Sequence, residues 1–161
     1  MQREISAGAV IYRENKQRKY LLLHYEQGHW DFVKGNVEKG ETHKETITRE
    51  TKEETAITKI EFIEGFKERI HYFYKQKNEL ISKDVYFYLA KTKQKEVKLS
   101  FEHIGYKWLS YEKALEHLTF DSAKNILKKA EEFLKESNKQ KRLDVLMLFR
   151  SLAIYIQYAQ S

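Results

Sequence analysis

The segment Trp30-Asp31-Phe32-Val33-Lys34-Gly35-Asn36-Val37-Glu38-Lys39-Gly40-Glu41 runs straight into Thr42-His43-Lys44-Glu45-Thr46-Ile47-Thr48-Arg49-Glu50-Thr51-Lys52-Glu53-Glu54-Thr55. Its first half has no helical periodicity and reads as loop plus short strand. Thr42 and Glu45 stand at capping-box spacing, which predicts a helix with Thr42 as N-cap, reaching about Thr55. On that helix Glu50, Glu53 and Glu54 share an arc of about 100°, with Glu50 and Glu54 one turn apart. Three carboxylates so close repel one another, and Arg49, one turn before Glu53, offsets only part of this. A solvated acidic face and a seat for a hard divalent cation, Mg²⁺ or Mn²⁺, both fit. Helical spacing alone does not choose between them.

Wider spacing chooses. Gly35, Glu41, Arg49-Glu50 and Glu53-Glu54 fix six residues, a coincidence with odds on the order of one in 20,000 for this composition. The pattern resembles the Nudix box, Gly-x5-Glu-x7-Arg-Glu-U-x-Glu-Glu-x-Gly-U with U aliphatic, of hydrolases acting on nucleoside diphosphates linked to another moiety. Thr51 fills the first aliphatic slot, and Ala56 replaces the last Gly. A left-handed helix end there would cost Ala roughly 1 kcal/mol. Neither change removes a carboxylate. The stretch from Trp30 to Glu41 also resembles the Trp-x-x-Pro-Lys-Gly-His-x-Glu-x-Gly-Glu entry of the asymmetric dinucleoside tetraphosphate hydrolases, with Val33 in place of Pro. Glu64-Gly65-Phe66-Lys67, Tyr72, Glu102-His103, Tyr106-Lys107-Trp108-Leu109 and Phe120 match later motifs of that branch in order, so the resemblance spans about residues 3–136.

The resemblance implies an α+β fold, a Nudix-type α/β/α sandwich with a mixed β-sheet over residues 1–136, and leaves 137–161 as a C-terminal helical extension. It implies Mg²⁺- or Mn²⁺-dependent attack of water on a polyphosphate phosphorus, with diadenosine tetraphosphate giving ATP and AMP. Glu50, Glu53 and Glu54 are the implied metal ligands, with the Gly35 carbonyl as a further one and Glu102 completing the site as ligand or general base. Glu53, Glu54, Glu102 and Arg49 form the catalytic set; which Glu is the base stays open. Arg49 and Glu41 suit a structural pairing, as does the Thr42 cap. Lys34, His29, Lys67 and Lys77 are phosphate-contact candidates, set against ordinary solvated positions for His29 and the last two. Tyr72 and Phe120 are candidates to sandwich an adenine, set against core packing. The alternatives are an RNA 5′-pyrophosphohydrolase, for which 5′ RNA ends would be the partner, and a non-catalytic nucleotide or RNA sensor. Ala56 is the sensor's only support.

Composition frames these readings. The 161 residues suit one catalytic domain, and 41% hydrophobic content allows a packed core. Zero Cys excludes disulfides, thiolate catalysis and Cys-ligated metals. No apolar stretch follows Met1-Gln2-Arg3-Glu4-Ile5, so a cytoplasmic setting without a signal peptide is expected. Strands are expected over 3–12, 20–25, 59–66, 69–75 and 83–90. Ser110 is expected to cap a helix to Leu118, and Asp121 or Ser122 a second to Leu134. Ser137–Lys141 reads as a polar break before a last helix, about Arg142–Gln160. Leu143–Ala159, interrupted by Asp144, Arg150 and Gln157, is short and impure for a membrane span. Its apolar surface is wide enough to want covering, by its own domain, by a second copy through residues 142–160, or by a membrane surface. Truncation after Ser137 is expected to spare the catalytic residues while lowering stability or changing the oligomer. Half of the net charge of +6 lies in this appendage, where Lys139, Lys141, Arg142 and Arg150 face Asp144 alone.

Overall fold

The computed structural model describes residues 2–160. Seven strands, β1 (Gln2–Glu14), β2 (Arg18–Tyr25), β3 (Trp30–Asp31), β4 (Val33–Asn36), β5 (Glu61–Gln76), β6 (Glu79–Lys91) and β7 (His103–Leu109), form one sheet in the order β3-β2-β1-β6-β5. Beyond that path β4 pairs with β1 and β7 with β2. The β1–β6 pair is parallel and the others are antiparallel, so the sheet is mixed as expected. Helices α1 (His43–Thr55), α2 (Tyr111–His117) and α3 (Asp121–Ala159) flank it.

Strand β1 is buried on both faces. Ala7, Ala9 and Ile11 join Leu21, Leu23, Val33 and Ile47 under α1, while Val10 and Tyr12 join Leu22, Phe87, Leu118 and Leu127 under α2 and α3. These two apolar layers make the α/β/α sandwich. Thr42 caps α1 with a complete capping box, its side chain accepting from the Glu45 N–H while the Glu45 carboxylate accepts from the Thr42 N–H at 2.7 Å. Ser110 caps α2 by accepting from the Lys113 N–H.

Three expectations need correction. The segments 59–66 and 69–75 are one strand, because the β5–β6 ladder passes through an irregularity between Phe62 and Lys67 and then resumes. A bulge bends a strand without ending it. Ser137–Lys141 is no break: α3 is continuous for 39 residues. That segment is polar but holds no Gly or Pro, and a solvated helix tolerates polar residues all round. The N-cap of α3 is Phe120, not Asp121 or Ser122, and it makes no side-chain capping bond.

Two buried acids tie layers together. Glu131 of α3 accepts from the Tyr20 hydroxyl and from Arg18 Nη1 (3.2 Å), clamping the helix to β2. Asp84 of β6, 1% exposed, receives Arg3 (3.0 Å), Arg69 (2.7 Å) and His71 (2.9 Å). The Arg69 hydrogen bond, then those of His71 and Arg3, hold its carboxyl down at about 2.

Candidate active site

Helix α1 presents its acidic face toward β4 and the loop before β7. Arg49 is the hub of this face: its Nε and Nη2 donate to the two oxygens of Glu41 (2.7 and 3.0 Å), and Nη1 donates to Glu50 (2.7 Å) and Glu53 (3.2 Å). Nη2 also reaches the Asn36 carbonyl at 3.1 Å. Those bonds to Arg49, with one from Thr46, hold the Glu41 carboxyl at about 2. Arg49 and Glu41 therefore position the box and bind the loop to the helix. Glu50 lies directly over Gly35, where an added Cβ would meet Glu50 Oε1 at 1.9 Å. Any side chain at that position evicts the carboxylate.

Glu54 is 3% exposed, and burial together with the neighbouring Glu50 pushes its carboxyl up to about 9. Its Oε2 has no hydrogen-bond partner, and neither ring nitrogen of His103 has one. His103 Nε2 nevertheless lies 3.4 Å from Glu54 Oε2, a close approach without hydrogen-bond geometry. Donor atoms of Glu54, Glu102 and His103 all fall within 4.8 Å of one another. Glu102 is exposed, while Glu54 and His103 are buried with unpaired polar atoms; a cation satisfies such atoms, and carboxylate oxygens suit Mg²⁺ or Mn²⁺. The residues fit such an ion. The helix ends at Ala56 in the left-handed region (φ 58°, ψ 14°), its N–H bonded to the Lys52 carbonyl at 2.9 Å, so the box closes as it would with Gly.

Beside the carboxylates opens a cleft of about 870 Å³, lined among others by Tyr25, His29, Lys34, Tyr72, Lys83 and Phe120. Lys34 Nζ donates to Asp31 (2.6 Å) and lies 4.7 Å from the centre of the Tyr25 ring. Tyr25 is stacked on His29 (4.6 Å between centroids) and lies over His103 (4.4 Å), so its ring joins the cleft to the acidic cluster. Burial, then Lys34, lowers the His29 pKa, and burial raises that of Tyr25 well above the usual phenol range. Phe120 packs against His29 at 5.3 Å, and both Phe120 and Tyr72 keep more than two-fifths of their surface exposed at the cleft. Neither is core.

Two candidates stand elsewhere. Lys67 lies over the rings of Tyr86 (5.1 Å) and Tyr88 (5.8 Å), on the sheet face toward α1 and away from Tyr72. Lys77 forms, with Asn78, the two-residue β5–β6 turn with positive φ at both positions, and it does not line the cleft. Sequence reading missed His103, Tyr25 and Lys83. Lys83 donates to Glu4 (2.9 Å) and Asn36 (2.5 Å), and Tyr74 donates to the same Glu4 (2.8 Å), a polar network at the cleft. His103 had a signal, standing beside Glu102 in a matched motif; a Lys within an alternating strand had none.

The NUDIX domain family profile matches residues 2–130. The chain is 36% identical over 142 residues to an asymmetrical bis(5′-nucleosyl)-tetraphosphatase of Mus musculus, covering 80% of this chain and 94% of that protein. It is 32% identical over 120 residues to an RNA pyrophosphohydrolase of Nitratiruptor sp., covering 66% of this chain and 74% of that one. A crystal structure of a C. elegans Ap4A hydrolase binary complex superposes with a TM-score of 0.73 at 34% identity, covering 83% of this chain and 98% of the other.

Proposed function

The chain belongs to the NUDIX domain family and is a Nudix pyrophosphohydrolase, and from this premise we propose that it hydrolyses diadenosine tetraphosphate to ATP and AMP with Mg²⁺ or Mn²⁺. The observation that carries the reading is one cleft holding two exposed aromatic rings, Tyr72 and Phe120, together with Lys34 and His29, next to the acidic cluster around the buried Glu54. An adenine stacks on such rings, and the cationic and imidazole groups face the phosphates.

Glu50, Glu53, Glu54 and Glu102, with His103 beside Glu54 and the Gly35 carbonyl as a further ligand, would hold the ion. When bound, a divalent cation neutralises phosphate oxygens and lowers the pKa of water. Arg49 keeps Glu50 and Glu53 in place, and Gly35 leaves room for Glu50. A carboxylate from the set Glu53, Glu54 and Glu102 takes the proton of the attacking water. The new P–O bond forms to the water oxygen, and the P–O bond to the leaving polyphosphate breaks. Lys34 offsets the negative charge on the phosphate chain.

A side-by-side product assay on diadenosine tetraphosphate, 5′-triphosphate RNA and ADP-ribose tests this. Equimolar ATP and AMP, formed fastest and only with the metal, is the expected result. Faster release of pyrophosphate or phosphate from the RNA 5′ end would move the assignment to 5′-end processing, and binding without turnover would make the protein a sensor.

A further inference from the structure

The β1–β2 hairpin sorts its charges by face. Arg18 pairs with Glu14 (3.0 Å) and with Glu131 of α3 (3.2 Å), on the side that α3 covers. Arg13 and Lys19 fall on the opposite side, as the two-residue period of a strand requires. They stand directly across from each other in the ladder, a like-charge pair that weakens a sheet. With Lys16 of the turn and Lys95 of the loop after β6 they line a cavity of about 430 Å³, completed by Asn15 and Gln17. Among the described residues no carboxylate lines it.

Other arginines of this chain find acids: Arg3 and Arg69 share Asp84, and Arg49 holds Glu41 and Glu50. Arg13, Lys16, Lys19 and Lys95 have no ion pair among the described residues. The Arg13 Nε is buried without a hydrogen-bond partner, and the guanidinium lies over the Trp108 ring, 5.2 Å from its centroid. Trp108 Nε1 donates in turn to the Lys95 carbonyl (2.9 Å). One indole thus anchors both the arginine and the lysine loop.

We propose that this cavity binds a linear oligophosphate, the chemistry shared by inorganic triphosphate and the triphosphate tail of a nucleotide. A multiply charged anion relieves the Arg13–Lys19 repulsion that folding installs. The guanidinium fork suits phosphate oxygens, the lysines add point charges, and the Asn15 and Gln17 amides donate to oxygens left over. A single phosphate supplies about two negative charges at neutral pH, half of what four cations call for, and a chain of phosphates supplies the rest. The site is separate from the metal-binding acids. Tyr25, which lies over His103, is six residues from Lys19 along β2, about 20 Å.

The chain has two Trp, so two indole N–H resonances are observable, and Trp30→Phe identifies that of Trp108. Inorganic triphosphate, titrated with EDTA in ~0.1 M KCl, should shift the Trp108 resonance to saturation and raise the melting temperature. Lys19→Glu should weaken this binding at least ~10-fold and Lys95→Ala about threefold or more, while Lys34→Ala in the catalytic cleft leaves it within about twofold. Without triphosphate Lys19→Glu should melt above the wild type, because Arg13 then faces an opposite charge. ATP should bind within about threefold of inorganic triphosphate, and AMP at least ~10-fold more weakly. A Trp108 resonance that moves no further than with KCl of equal ionic strength overturns the proposal. So does Lys19→Glu binding as tightly as the wild type, or Lys34→Ala weakening binding as much as Lys19→Glu, which would put the anion in the cleft.

Discussion

Glu50 occupies the space that a side chain at Gly35 would fill: a Cβ there would stand 1.9 Å from Glu50 Oε1 and 2.0 Å from its Cδ. A strand residue and a helix residue fifteen positions apart thus share one volume, and the glycine is the condition for the carboxylate's place. Gly35→Ala should retain the fold by circular dichroism yet lose at least ~100-fold in metal-dependent turnover, because an ion supplies several kcal/mol of transition-state stabilisation. Unchanged kcat in Gly35→Ala would show that Glu50 is dispensable.

Glu54 poses the opposite demand. Its carboxyl is buried among like charges and held up at about 9. Glu54→Gln removes that burden, so the metal-free variant should melt at or above the wild-type temperature while turnover falls at least ~100-fold. Calorimetry with chelator, set beside a rate assay, separates the two effects. A variant both less stable and fully active would contradict the assignment.

Phe120→Ala and Tyr72→Ala should each raise KM for diadenosine tetraphosphate about tenfold or more with a smaller change in kcat, given ~1–3 kcal/mol per stacked base. Lys77→Ala, in the distant hairpin turn, should leave both constants unchanged. Equal KM effects at Lys77 and Phe120 would remove the cleft from the argument.

Ala56 holds a left-handed conformation that glycine adopts at no steric cost. Ala56→Gly should raise stability by about 0.5–1 kcal/mol in urea denaturation and leave kcat within about twofold. A loss of stability would mean that the wider freedom of Gly in the unfolded chain outweighs the relief of strain.

Asp84 sets an acid limit. Its carboxyl lies below its ordinary value of 3.8, at about 2, first through Arg69, then His71 and Arg3. The native state binds fewer protons there than the unfolded chain, so this stabilisation is complete above about pH 4 and is lost as pH falls toward 2. The stability difference between wild type and Asp84→Asn should therefore shrink across that window. A difference that does not change with pH would rule out the ionised form as its source.

The capping box, the Arg49 pairing and the acidic face were legible because helix chemistry is local: Thr42, Glu45, Glu50 and Glu54 interact at fixed spacings. The contact of Tyr25 with His103 was not, because it depends on β7 pairing with β2 across some eighty residues, with a register shift at the His24/Tyr25 step. The false break at Ser137 has a different cause. Its polar residues encode only solvent exposure, and nothing in that segment stops a helix.

The continuity of α3 also governs how the protein moves through water. Beyond Leu134 the helix projects about 37 Å, more than twice the ~14 Å radius of gyration of a body of ~136 residues. A single chain of this shape suffers more friction than a sphere of equal mass, so it diffuses slowly and leaves a gel-filtration column early. An early peak would be produced by one copy as readily as by two.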